Sequence, residues 1–265
     1  MEQDKHLVEL DSLLSNLSFL WAHQRDSGEG AGETLEAHTK LVDRYFARMT
    51  ADLRFENICD QLWNDFLNIG CNMDYRSIFW EMIYNIPHFH DTGKANPAYQ
   101  NIKMQNPKYE GRDFVDGMRG SEHSFLSSLI YLDYYLGDIK KRCQDTQSVA
   151  LLRHVALIGA YVISRHHSDL CSLADYVERF RDRNGEVRYL FLESKSLQEI
   201  YPCVRYFSNK ARISNVAKGW EKTTRTIPNY LNIRLMIFVR LMYSLLVASD
   251  FFATNEFMSG SAVPM

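Results

Sequence analysis

Glycine and proline are scarce in this chain, at 13 and 6 of 265 residues. So few turn formers exclude a fold of many short strands joined by tight turns, and they exclude long disordered linkers as well. Cysteine is sparse and scattered: Cys59, Cys71, Cys143, Cys171 and Cys203 include no Cys-x-x-Cys pair. An odd number without a disulfide framework predicts reduced thiols in a cytoplasmic protein. Positive charge is not in excess either, because the formal net charge is -3. If the chain handles nucleic acid, its attraction for phosphate must come from local patches or a bound metal. The charged start, Met1-Glu2-Gln3-Asp4-Lys5, is not a secretory signal. The strongest apolar run, Leu235 to Ala248, is short for a bilayer and carries Arg240, so it reads as a buried core helix and no membrane is expected. No internal repeat, low-complexity tract or domain boundary interrupts the sequence, which predicts one domain over residues 1–265.

What is present is helical periodicity. Leu7, Leu10, Leu14, Leu17 and Leu20 form one stripe, predicting an N-terminal helix within residues 1–20. Gly28, Gly30 and Gly32 mark a turn, and Thr34 then opens a helix through Leu35, His38, Val42 and Phe46. Further helices are expected over Phe55–Ile69, Tyr75–Ile86, Ser148–Ser164, Leu173–Arg181, Leu197–Phe207 and Pro228–Phe252. Another starts with Ser121 as its cap and reaches Leu136, after a long loop from Thr92 to Gly120. Asn184-Gly185 before the alternating Val187-Tyr189-Phe191 suggests a small β-hairpin, and residues 259–265 read as a disordered tail. The fold class is all-α.

Five histidines lie in or beside short polar clusters at the ends of apolar helices: His38, His90, His123, His166 and His167. Asp91 follows His90 directly, and Asp250 follows the run Leu245-Leu246-Val247-Ala248. A carboxylate placed there is costly to bury unless it is paired or coordinates a cation. Imidazole mixed with carboxylate suits Mn, Fe, Co, Ni or Zn better than an oxygen-only magnesium site. Five His and two Asp exceed what one ion needs and match two ions sharing a carboxylate, a set suited to displacement at phosphorus. Taken singly, each of these residues reads as readily as a helix cap or a hydrogen-bonded core residue.

The ordered set resembles the pattern of HD-superfamily phosphohydrolases: His38, then His90-Asp91-Thr92-Gly93-Lys94, His123, His166-His167, and Asp250-Phe251-Phe252-Ala253. More narrowly it resembles the HD nuclease domain of the type I CRISPR-associated nuclease-helicase. Trp21-Ala22-His23 and Ser121-Glu122-His123-Ser124 belong to the likeness, which runs from about residue 20 to residue 256. The resemblance implies an HD-domain helical fold that cuts single-stranded DNA with two divalent transition metal ions. By position, His38, His90, Asp91 and Asp250 would hold one ion, and Asp91 would bridge to a second held by His123, His166 and His167. Asp91 and Lys94 would be catalytic, Lys94 contacting the scissile phosphate, with His23 in a supporting role behind the ligands. Partners implied are a Cascade-like CRISPR effector complex and a helicase domain or subunit, fused or separate. Ser168 departs from the family pattern, where glycine is frequent.

Thr92-Gly93-Lys94 is not the end of a P-loop, since His88 stands in place of the first glycine and Ala95 in place of Ser or Thr. No helicase motor is encoded. A basic stretch with Arg205, Lys210, Arg212, Lys218, Lys222 and Arg225 is interleaved with Tyr206, Phe207 and Trp220. Arg212 and Lys218 are its candidates for binding a DNA strand, against the plainer reading of a solvated helix face. Two rival functions stand beside the nuclease: an HD hydrolase of nucleotides or cyclic nucleotides, and a non-catalytic recruitment module of a CRISPR effector.

Overall fold

A computed structural model describes residues 6–24, 32–110 and 122–263. In chain order the elements are α1 (Leu10–Leu13), β1 (Trp21–His23), β2 (Glu33–Thr34), α2 (Leu35–Asp52), α3 (Phe55–Asn68) and α4 (Arg76–Phe89). They continue with α5 (Pro97–Ile102), α6 (His123–Arg142), α7 (Thr146–Arg165), α8 (Leu173–Asp182), α9 (Asn184–Arg188), α10 (Lys195–Ile200), α11 (Lys210–Thr226) and α12 (Asn229–Ser259). The fold is all-α, and the antiparallel pair β1–β2 is the sole sheet among the described residues.

Local chemistry sets where the helices begin. Thr34 Oγ1 accepts the Ala37 amide at 3.1 Å to start α2, and Asp145 does the same for Ser148 at 2.7 Å to start α7. Such caps satisfy amides that the helix itself leaves without partners. At the far end, Gly260 closes α12 with φ +68°, a conformation that costs glycine little.

The centre of the packing is the pair α6 and α7. The short connection between them sends α7 back along α6, so the first residue of α6 and the residues just past α7 lie at one end. The Tyr131 side chain of α6 packs onto Gly159 of α7, where an added Cβ would lie 2.5 Å from its hydroxyl oxygen. Helix α4 packs against both and against α2, and α12 lies along α2. One apolar cluster runs from Leu10 through Phe79, Tyr131 and Ile163 to Leu246.

Several expectations are revised. The N-terminal leucine stripe is not one helix: α1 has four residues, Leu14 is extended and Asn16 is left-handed. The stripe is buried all the same, because Ser15 donates its amide to the Ile200 carbonyl and the segment lies across the core as a strap. The hairpin at Asn184-Gly185 is replaced by α9 and a π-turn over Tyr189–Glu193, and the sheet lies instead at β1–β2. The side chains buried there are Val187, Leu190 and Phe191, a helical spacing, while Tyr189 is exposed. The helix expected over Leu197–Phe207 is confined to α10. The loop after Thr92 holds α5 and two 3₁₀ turns, Thr92–Ala95 and Pro107–Tyr109. Residues 260–263 of the expected tail are described, and the Val263 amide donates to the Tyr45 hydroxyl at 3.1 Å. Gly28, Gly30 and Ser121 lie outside the described residues.

The apolar run at Leu235 belongs to a longer and less buried helix than its sequence suggests. Helix α12 has 31 residues. By length and composition alone, α7 and α12 are both long and apolar enough to cross a membrane. Helix α7 is mostly buried within the protein. Helix α12 buries Leu235, Phe238, Met242 and Leu246 along one face and exposes Ile233, Met236 and Ile237 along another.

Candidate metal centre

The Asp91 backbone is placed by the end of α4 and by the 3₁₀ turn that follows. Pro87 has no amide, and its own carbonyl accepts both the His90 amide (3.3 Å) and His90 Nδ1 (2.6 Å). The turn is pinned to α6, since the Gly93 amide donates to Ser127 Oγ at 2.8 Å. Gly93 fits because it has no side chain: a Cβ there would lie 2.1 Å from the His123 carbonyl oxygen. From the other side, Tyr201 donates its hydroxyl to the Thr92 carbonyl at 3.0 Å.

Five elements then deliver side chains to one place. His38 comes from the second turn of α2, His90 and Asp91 from the end of α4, and His123 from the first residue of α6. His166 and His167 come from just beyond α7, and Asp250 from α12. They divide into two groups that share Asp91 and could each hold a metal ion: His38, His90, Asp91 and Asp250, and Asp91, His123, His166 and His167.

The distances show convergence on common points in place of direct pairing. Asp91 Oδ2 lies 3.4 Å from both His38 Nε2 and His90 Nε2. Asp250 Oδ1 lies 3.2 and 3.7 Å from the same two nitrogens. Asp91 Oδ1 lies 3.2 Å from His123 Nε2 and 3.5 Å from His166 Nε2, and His123 Nε2 and His167 Nε2 are 3.0 Å apart. Both ring nitrogens of His38, Nε2 of His90 and His166, and Oδ1 of Asp91 are buried with no hydrogen-bond partner. Orphaned buried polar atoms are costly. Separations of this size are those of donors that share an ion about 2.0–2.2 Å from each. A proton on Nδ1 is held by a backbone carbonyl for His90 and, at 2.7 Å through Ile163, for His166. That tautomer turns the Nε2 lone pair toward Asp91. The donor set therefore fits a divalent transition metal on the chemistry of its own atoms.

The electrostatics are those of a buried, densely charged pocket. Burial opposes a charge on His90, but Asp91 and Asp250 outweigh it and push the imidazole up to about 10. Burial likewise works against an ionised Asp91, yet His90 and Lys94 hold its carboxyl well below the ordinary range. Asp250 is depressed in the same sense by His38 and His90 against its burial. In the second group burial prevails: His123 falls to about 4 in spite of Asp91, and His167 to about 3, helped by His166. Neutral imidazoles of this kind are the form that binds metal.

Lys94 is turned inward. It is 2% exposed, and its ammonium lies 2.7 Å from Asp91 Oδ2, 3.2 Å from the Ala22 carbonyl and 3.3 Å from His23 Nε2. The resemblance gives Lys94 a contact with the scissile phosphate; in the structure its ammonium stands beside the shared carboxylate. His23 stands behind the cluster, hydrogen-bonded through Nδ1 to Glu33 at 2.8 Å. His88 pairs with Asp43 at 2.6 Å, apart from both groups.

Two residues near the centre escape the sequence reading. Glu33, 5% exposed, contacts both His23 and His38; before a capping threonine it reads as an ordinary acid at a helix start. Tyr99 meets His123 edge to face, the ring centroids 4.8 Å apart. Arg212 and Lys218 are not brought to the centre. They lie on α11, which packs on α7 near His154, stacked with Trp220. From His154 to His166, α7 rises about 18 Å. Arg212 donates to the Tyr206 carbonyl at 3.2 Å, and Lys218 is exposed.

No family model, curated protein or solved structure matches the chain.

Proposed function

We propose that the chain is a cytoplasmic, metal-dependent phosphodiesterase of the HD type that cuts single-stranded DNA. It would act as the nuclease of a CRISPR effector, working with a helicase domain or subunit. The observation that supports this reading is the sharing of Asp91: one buried carboxylate offers Oδ1 to one His cluster and Oδ2 to another. Two divalent transition ions, drawn from Mn, Fe, Co, Ni or Zn, would lower the pKa of water there and stabilise the oxygens that enter and leave at phosphorus.

The chain's own residues do the rest. Asp91 keeps the two groups in register, and its position is fixed by backbone at Thr92, Gly93 and Pro87. Asp250 adds the second negative charge that makes a cation welcome between His38 and His90. Lys94 balances part of the charge on Asp91, which helps the buried pocket tolerate two carboxylates. The negative net charge of the whole molecule leaves attraction for DNA to the centre and to local basic patches.

The test is cleavage of circular single-stranded DNA by the full chain, stripped with a chelator and resupplied with Mn, Ni or Co. Asp91→Ala should lower the rate at least 100-fold, since losing a shared ligand should exceed the roughly 10- to 100-fold typical of outer contacts to a metal site. Undiminished cutting by that variant would end the proposal. Turnover of nucleotides or cyclic nucleotides without DNA cleavage would move the chain to the small-substrate hydrolases. Tight metal uptake with no turnover of either would make it a recruitment module.

A further inference from the structure

Glu33 stands at the start of two routes that end on the same atom. Its Oε2 is 3.2 Å from His38 Nδ1, and His38 Nε2 is 3.4 Å from Asp91 Oδ2. The same Oε2 is 2.8 Å from His23 Nδ1, while His23 Nε2 is 3.3 Å from the Lys94 ammonium, itself 2.7 Å from Asp91 Oδ2. Glu33, His38, Asp91, Lys94 and His23 thus close a ring, and every member except His23 is nearly sealed from solvent. The proton arrangement around the ring is self-consistent. A carboxylate can only accept, so His23 presents Nδ1–H to Glu33 and is left with a lone pair on Nε2 to receive a Lys94 N–H. His38 facing the same oxygen is left with its Nε2 lone pair toward Asp91 and Asp250.

We infer that Glu33 is a positioning residue for one of the two metal groups, resting on the reading of those groups as metal sites. Its negative charge, 3.2 Å from Nδ1, favours the Nδ1–H tautomer of His38, and through His23 it keeps Lys94 against Asp91. Carboxylates that hold a ligating imidazole in this way tune metal affinity without touching the ion. Of the ligands in the two groups, Glu33 touches only His38, a member of the group of His38, His90, Asp91 and Asp250. The group of His123, His166 and His167 receives no contact from it. Its removal should therefore weaken that site far more than the other, which it reaches only through His23, Lys94 and the shared Asp91, a selectivity that a general loss of packing would not produce.

The experiment is a titration of the metal-free full chain with Co(II), followed by its visible absorption, for the parent and for Glu33→Gln. The parent should bind two equivalents. The variant should bind one equivalent with nearly the parent's affinity and the other about 10- to 100-fold more weakly, while circular dichroism shows the helices intact. If Glu33→Gln does not fold, Glu33→Asp, which keeps the charge but withdraws it by one carbon, should give the same one-site loss at smaller size. Equal weakening of both sites, or of neither, overturns the assignment of Glu33 while the metal groups stand. A parent that takes up no Co(II) overturns the metal reading itself.

Discussion

His154 shows how a single side chain can carry a pH dependence of stability that has nothing to do with the centre. It is 5% exposed in α7, its Nδ1 has no hydrogen-bond partner, and it lies parallel to the Trp220 ring. Burial lowers its pKa from 6.5 to about 4. Between those two values the unfolded chain binds the proton and the folded chain does not, so stability is full above pH 6.5 and declines as the pH falls toward 4. The whole effect is on the order of 3 kcal/mol. His154→Phe keeps a flat ring against Trp220 and removes the titration. Melting curves of the parent and His154→Phe should therefore diverge as the pH drops from 7 to 4, the variant losing less. Parallel curves would show that another group carries the acid sensitivity. At this scale the sequence was legible in part. His38, His90, Asp91, His123, His166, His167 and Asp250 stand out by type and neighbours, and the structure sets them side by side. Glu33 does not stand out, because what distinguishes it is burial between two imidazoles, a product of tertiary packing.

Among elements, the turn between α4 and α5 is the most constrained. Its glycine touches the His123 backbone, its amide is bound by Ser127 and its carbonyl by Tyr201. Gly93→Ala would force the turn away from α6 and separate Asp91 from His123. The expected result is a loss of stability of about 1–3 kcal/mol, the range for overpacking, together with a larger loss of metal affinity than of stability. Comparing urea denaturation with metal titration for this variant checks both. The reading of elements from the sequence succeeded where caps and spacing agreed, as for α2 behind Thr34 and for α7 and α8. It failed where tertiary packing overrode a local signal. Asn184-Gly185 is a turn signal by residue type, but Phe180, Val187, Leu190 and Phe191 are all buried along helical backbone, and Arg183 pairs with Glu186 one turn on. The leucine stripe at the N-terminus has helical spacing, yet a left-handed Asn16 and the bond from Ser15 to Ile200 break the helix and keep the burial.

For the molecule as a whole, the two groups at Asp91 concentrate opposed charges in a buried interior, an arrangement that a bound cation relieves. Anything that binds only the folded state raises its stability, by about 2.7 kcal/mol at a hundred times the dissociation constant. Mn, Ni or Co should therefore raise the melting temperature of the chelated parent by several degrees and that of Asp91→Ala by much less. An equal rise in both would place the bound ion elsewhere. The ligands come from far apart in the chain, His38 in the first long helix and Asp250 in the last. During synthesis, His38, His90, Asp91, His123, His166 and His167 have all left the ribosome before Asp250 is made. A nascent chain can thus assemble the half that lacks Asp250 ahead of the other, and the second half must wait until α12 has emerged and docked. The order in which the pocket matures is written into the order of the chain, and cutting before α12 would leave the protein with one half-built cavity for cations.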